Sequence, residues 1–150
     1  MTADVVTVYR RINARPQTVF SFFTDPRRWL SWQGVEAEID PQPGGVFRMN
    51  VRGDGWASGR FTAVEPYRRI VFTWGWEGDG SPVPPGSSTV EITLEPDGAG
   101  GTMLRLIHSG LPPAAVGLHR EGWNHYLDRL VVRAAGGDPG PDGNVVRQDA

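Results

Sequence analysis

The chain has 150 residues, a net charge of −2 and no cysteine. This length fits one domain with a sizeable core, and the absence of thiols excludes a disulfide scaffold, a Cys-ligated zinc site and a thiol nucleophile. So small a net charge predicts no binding to nucleic acid or to an anionic membrane.

The first part of the chain is predicted to form a strand and two short helices. Residues 5–12 are rich in Val and Tyr, which favour a strand. Pro16 suits the first position of a helix that continues to residue 23. Asp25 and Pro26 then interrupt the chain before a second short helix over residues 26–32.

From residue 35 the hydrophobic pattern has a period of two, which is typical of half-buried strands. Strands are predicted over residues 35–39, 46–52, 56–64, 70–76, 88–95 and 102–109. Most connections are of hairpin length, which requires antiparallel pairing. The longer segment 77–87 contains glycines that permit hinge motion and prolines that stiffen it, so it is either a lid or a surface connection.

A long helix is predicted over residues 112–135, with its apolar residues mostly on one stripe. The stripe consists of Leu118, Trp123, Tyr126, Leu127, Leu130 and Ala134. The order of elements predicts an α+β fold in which a bent antiparallel sheet of about seven strands grips the C-terminal helix. We expect one domain over residues 1–135 and a disordered tail over residues 136–150, which are rich in Gly, Pro and Asp.

The expected location of the protein is cytoplasmic. No apolar run approaches the ~20 residues of a membrane span. The first eight residues lack a charged segment followed by an apolar one, so no signal peptide is predicted.

Particular residues throughout the chain resemble the SRPBCC superfamily, also called START-like or Bet v 1-like, and within it the AHSA1-like branch named after the activator of Hsp90 ATPase. The matching residues are Ala14-Arg15-Pro16, Val19-Phe20, Thr24-Asp25-Pro26, Trp29, Asp40-Pro41, residues 44–47, 59–61, 64–66 and 69–74, Gly101-Thr102, Leu104, residues 108–110, Gly122-Trp123, Leu127 and Leu130. The resemblance covers about residues 5–135. It implies the helix-grip fold, with two short helices after the first strand and a cavity between the sheet and the last helix.

The aromatic residues predict what such a cavity would bind. Rigid rings suit the wall of a site for a hydrophobic or aromatic small molecule, although each ring alone also fits an ordinary core. The candidate ligand-binding residues are Trp32, Phe47, Met49, Trp56, Phe61, Phe72, Trp74, Trp76, His108, His119, Trp123 and Leu127. Trp56 and Trp76 lie beside turns and are expected to border the entrance.

His108 is the one candidate for catalysis, because it shares a strand face with Leu104 and Leu106 and so should point inward. The favoured interpretation, however, is a core histidine held by a hydrogen bond to a backbone carbonyl or to a neighbouring side chain. His108 and His119 with a carboxylate could form a metal site, but no HxH or HExxH spacing supports one, and we expect neither metal nor cofactor.

Three functions follow from the residues and the resemblance. The first is a small-molecule binding protein. The second is an interaction domain for a chaperone of the Hsp90 type, although this chain lacks the additional domain of the eukaryotic activators. The third is a cyclase- or aromatase-like enzyme using the same cavity. Binding is favoured over catalysis, and the protein is expected to be a monomer or a homodimer.

Overall fold

The computed structural model describes residues 5–146, which contain seven strands and three helices. These are β1 (Val6–Ile12), α1 (Pro16–Ser21), α2 (Pro26–Leu30), β2 (Glu36–Ile39), β3 (Val46–Asn50), β4 (Trp56–Glu65), β5 (Arg69–Trp74), β6 (Ser88–Pro96), β7 (Thr102–Ser109) and α3 (Pro113–Ala134). The seven-stranded α+β helix-grip fold is therefore confirmed. Residues 1–4 and 147–150 lie outside the described part of the chain.

The strands form one antiparallel sheet in the order β1-β7-β6-β5-β4-β3-β2. The first strand pairs with the last, from Val6 opposite His108 to Ile12 opposite Thr102. Every other neighbour is a consecutive strand, as the short connections predict. The two short helices lie in the longest connection between strands, from β1 to β2, and α3 packs back against β1.

The starts of the short helices follow from their sequences. Pro16 begins α1, where its missing N–H would have had no helical partner. The Asp25 side chain caps α2 by accepting hydrogen bonds from the backbone N–H groups of Arg27 and Arg28, at 2.9 and 3.4 Å. Both helices end two residues before the predicted position, which is the usual uncertainty for a helix end.

The sheet bends along β4. Gly59 lies so close to β5 that a Cβ there would be 1.9 Å from the carbonyl oxygen of Thr73. The sequence predicts a bulge at Gly59, but the register of β4 against β5 shifts slightly later, between Phe61 and Ala63. A shift of this kind increases local twist and curvature.

The inner face of the sheet and one side of α3 form the core. Ile70, Phe72 and Trp74 of β5 point inward, as their alternation predicts, and Trp123 and Leu127 face them from α3. The prediction for Leu118 is wrong, because its side chain is 73% exposed. Five residues separate it from Trp123, and at 100° per residue this places it about 140° away around the helix.

Residues 136–146, which the sequence predicts to be disordered, make defined contacts in the structure. The backbone N–H of Val146 donates to the carbonyl of Arg52 at 2.7 Å, and Asp142 accepts from His125 at 2.7 Å. The rest of the predicted tail lies outside the described residues. Within residues 5–146, none of the helices combines the length and the apolar character that crossing a bilayer requires.

Candidate functional site

The end of the sheet and the first half of α3 line a cavity of about 930 Å³ that is open to solvent on one side. One wall is formed by Trp74 at the end of β5, by Trp76 just after it, and by the loop 77–83. The opposite wall is α3 between Ala114 and Tyr126, which contributes the third indole ring, that of Trp123. The volume is within the usual range for pockets that bind small molecules.

Two of the three indoles donate to the same nitrogen atom. The Nε1–H groups of Trp74 and Trp76 donate to Nε2 of His119, at 3.3 and 3.1 Å. The ring proton of His119 is therefore on Nδ1, which donates to the carbonyl of Ala115 at 2.8 Å. Burial lowers the pKa of His119, and the bond to Ala115 opposes only part of that effect. His119 is thus a neutral acceptor that fixes both rings.

The third indole is held by the other inward histidine. Nε1–H of Trp123 donates to Nδ1 of His108 at 3.0 Å, so the ring proton of His108 is on Nε2. That Nε2–H group donates to the hydroxyl of Ser88 at 2.8 Å, which donates in turn to the carbonyl of Trp74, also at 2.8 Å. Burial first, and the nearby His119 second, lower the pKa of His108 to about 3.

The two imidazoles therefore have little capacity for proton transfer. His108 is completely buried and both of its nitrogens are engaged. Both nitrogens of His119 are also engaged, and its ring centroid lies 5.2 Å from that of His108. A general base needs a free lone pair within reach of the substrate. This arrangement fixes aromatic rings in place and presents no such lone pair.

The structure brings four of the twelve candidate ligand-binding residues to the cavity wall: Trp74, Trp76, His119 and Trp123. Seven others are buried in the core and are absent from the wall, namely Trp32, Phe47, Met49, Phe61, Phe72, His108 and Leu127. The aromatic members pack against one another and against Trp29 instead of reaching the cavity. Trp29 stacks on Trp32 at 6.0 Å, and Phe47 lies 4.4 Å from Phe72, between centroids.

Trp56, the twelfth candidate, lies on the other face of the sheet. It is opposite Asn50 in the β3–β4 pair, and the next residue, Ala57, is the one that is buried. Its ring packs under the guanidinium of Arg48, with 4.0 Å between the guanidinium carbon and the ring centroid. Of the two residues expected at the entrance, only Trp76 lies in the wall.

The wall also contains polar residues that the sequence analysis did not single out. Gln33 is 3% exposed; its Oε1 accepts from Trp29 at 2.8 Å, and its amide Nε2 makes no hydrogen bond within residues 5–146. Tyr126 and Asn144 are two further uncharged polar residues in the wall. The α3 stripe indicated Tyr126, but nothing in the sequence predicts Asn144, because it follows a Gly- and Pro-rich segment.

The charged groups of the wall are paired with opposite charges or are acidic. Arg52 lies 3.5 Å from Asp54, between side-chain nitrogen and oxygen. Glu77 bonds to Arg48 on the outer face at 2.6 Å, which lowers the pKa of the Glu77 carboxyl. Glu121 makes no ion pair among the described residues. Within that part of the chain, the wall therefore offers no arginine without an acidic neighbour.

No cluster of three His, Asp or Glu side chains suited to a metal ion occurs in residues 5–146. His108 and His119 are near each other, but their nitrogens already bond to Trp, Ser and backbone groups. A metal would have to displace those bonds, since each ligand must offer a lone pair.

Several solved structures are similar to this chain. An AHSA1-like protein from Rhizobium etli is 47% identical, the match covering 97% of this chain and 92% of that one, with a TM-score of 0.70. DynU16, from the dynemicin biosynthetic locus, is 29% identical over 91% of this chain, with a TM-score of 0.77. CalU16 from Micromonospora echinospora is 29% identical over 88% of this chain and 76% of its own, with a TM-score of 0.70.

The chain covers only 49% of DynU16, so it spans about half of that protein. No curated protein matches the sequence. The family model described as activator of Hsp90 ATPase homolog 1-like protein matches residues 13–135, from the end of β1 to the end of α3. Because this match covers most of the chain and the fold agrees with it, the chain belongs to the AHSA1-like family.

Proposed function

We propose that this protein binds an uncharged aromatic small molecule in the cavity between the sheet and α3. The observation that carries the proposal is the wall of three indoles whose N–H groups all bond within the protein. Rings used in this way have no donor left for a ligand. Trp76, which is half-buried, offers the most ring surface to the cavity, whereas Trp74 and Trp123 are almost completely buried behind it. Such rings suit a flat ring system, which packs by stacking and edge-to-face contact.

The charge of the wall supports an uncharged ligand. Arg52 is adjacent to Asp54, and Glu121 adds a negative charge without an ion-pair partner in the described residues. A carboxylate or phosphate ligand would lose its hydration here without meeting a free cation, which is costly. A neutral ring system avoids that cost.

The imidazoles favour binding over catalysis. His108 is held neutral and fully buried, and His119 is occupied by two indole donors. The cyclase-like alternative would need one of them to exchange a proton with the substrate. That alternative and the chaperone-partner alternative stay predictions. The origin of DynU16 in a biosynthetic locus also supports a small-molecule ligand.

A matched pair of fluorescent probes tests the proposal. N-phenylnaphthylamine is neutral, and anilinonaphthalene sulfonate has the same rings plus one anionic group. We expect titration of the protein to give a dissociation constant at least about tenfold lower for the neutral probe, a difference of about 1.4 kcal/mol. Equal affinities, or tighter binding of the sulfonate, would contradict an uncharged ligand. No binding of either probe would contradict the proposed site.

Two tryptophan variants locate the probe. Trp76→Ala removes a ring from the cavity wall, whereas Trp56→Ala removes one from the outer face. Losing one stacking surface should weaken binding of N-phenylnaphthylamine about tenfold in Trp76→Ala. Trp56→Ala should bind as the parent does. If both variants lose affinity alike, the probe is not in the cavity.

A further inference from the structure

The segment that follows α3 returns to the cavity instead of leaving the domain. Residues 137–146, here called the C-terminal strap, run back beside α3 and end at the turn between β3 and β4. The Arg129 guanidinium donates to the carbonyls of Pro139 and Gly140, at 3.4 and 3.0 Å. At the far end, the N–H of Val146 donates to the carbonyl of Arg52 at 2.7 Å. The strap thus connects the helix to the opposite wall of the cavity.

Asp142 anchors the middle of the strap. Its side chain is only 8% exposed, and its Oδ1 lies 2.7 Å from Nε2 of His125 on α3. Burial alone would raise the pKa of Asp142, but hydrogen bonds from the Asn144 amide and from His125 lower it overall. A buried carboxylate held in this way is a specific attachment point, which a solvated linker has no reason to contain.

The anchored strap supplies part of the cavity wall. Asn144 lines the cavity together with His125, the anchor point on α3, and with the adjacent Tyr126. The Tyr126 hydroxyl and Oδ2 of Asp142 are both buried, and neither makes a well-formed hydrogen bond within the described residues. Both atoms are closed off from the cavity, so Asn144 is the polar side chain of the strap that a ligand in the cavity can reach.

We infer that the C-terminal strap is part of the ligand site, with Asn144 as a ligand-contacting residue and Asp142 as the positioning residue that holds it. The strap closes the side of the cavity between α3 and the β3–β4 turn. The hydrogen-bonding end of the ligand faces Asn144, and its rings face the indoles. This inference rests on the proposed function and adds a part of the molecule that the family match, which ends at residue 135, does not include.

The test measures binding of N-phenylnaphthylamine to the full chain, to a chain that ends at Gly136, and to Asp142→Ala and Asn144→Ala. We expect the shortened chain and Asp142→Ala to release the probe about tenfold faster, because changes at one site act mainly on dissociation. Asn144→Ala should weaken binding while the strap stays attached. Asp138→Ala is the matched control, since Asp138 lies in the strap with its side chain 77% exposed and outside the wall.

Hydrogen exchange without ligand shows whether a variant detaches the strap or disturbs the rest of the domain. Hydrogen exchange at the Val146 amide should be slow in the parent and in Asp138→Ala, and fast in Asp142→Ala, while exchange in β5–β7 stays unchanged. If the full chain binds the probe and the three strap variants bind it equally well, the inference is wrong and the proposed function stands. If the full chain does not bind the probe, both are refuted.

Discussion

Replacing His119 by leucine tests the hydrogen bonds that hold the cavity wall. Leucine is close to histidine in volume, so the change mainly removes the acceptor shared by the N–H groups of Trp74 and Trp76. Trp74 is 3% exposed and its indole would be left with an unpaired buried donor, which costs about 1–3 kcal/mol. Trp76 is half-buried and regains a hydrogen bond from water at little cost.

A loss of about 2 kcal/mol should lower the melting temperature of a domain of this size by roughly 4–8 °C. The assay is thermal unfolding followed by circular dichroism near pH 7.5, where His108 and His119 are neutral because burial lowers their pKa values. His119→Gln is the matched variant, because its amide oxygen can still accept from one indole. We expect it to melt between His119→Leu and the parent.

Spectra of the indole N–H groups check the cause directly. The resonances of Trp74 and Trp76 should move in His119→Leu, whereas that of Trp29, which donates to Gln33, should not. If His119→Leu melts within a degree of the parent, the shared acceptor does not stabilise the wall. If the glutamine and leucine variants lose stability equally, the loss comes from packing and not from the missing acceptor.

Three further outcomes are expected. The folded-state pKa of His108, about 3, lies below the ordinary value of 6.5, so the stability gained by keeping this ring neutral is fully present above pH 6.5. The free energy of unfolding then falls as the pH drops toward 3, by up to about 1.4 kcal/mol per pH unit. The ring proton signals of His108 should not titrate between pH 8 and 5, and a midpoint near 6.5 would contradict the buried network. A Cβ added at Gly117 or Gly122 would have no atom within 4 Å, so Gly117→Ala and Gly122→Ala should each stabilise α3 by about 0.5–1 kcal/mol in urea unfolding. Only Gly122→Ala should also alter probe binding, because Gly122 lies in the cavity wall. Gly75→Ala would place a Cβ 1.8 Å from the carbonyl oxygen of Pro84, so it should lower the free energy of unfolding by about 1–3 kcal/mol and weaken probe binding. A variant as stable as the parent would show that the loop containing Pro84 moves aside at no cost.

Much of the fold could be predicted from local patterns. The alternation of Ile70, Phe72 and Trp74 predicted which face of β5 is buried, and Pro16 predicted where α1 begins. These features depend on residues close in sequence, where side-chain period and backbone preference are sufficient. The pattern was less reliable for α3, since Leu118 is apolar but points to solvent.

The site was only partly predictable, because facing inward is not the same as facing a cavity. Phe47 and Trp74 both point inward and both pack among other rings, yet only Trp74 also reaches the cavity wall. Which ring meets the cavity depends on how far the sheet separates from α3. That distance is set by contacts between elements far apart in the chain, which the period of a strand does not encode.

The sequence by itself determined the class of the molecule: a seven-stranded sheet around a helix, with inward aromatic residues and two inward histidines. Only the tertiary structure decided how those groups are used. In the tertiary structure Trp74 and Trp76 donate hydrogen bonds to His119, which is 45 and 43 positions away in sequence. Asn144, beyond the end of α3, lies in the cavity wall. The physical reason is that hydrogen-bond partners and cavity walls are properties of distance in space, whereas a sequence pattern reports only neighbours along the chain.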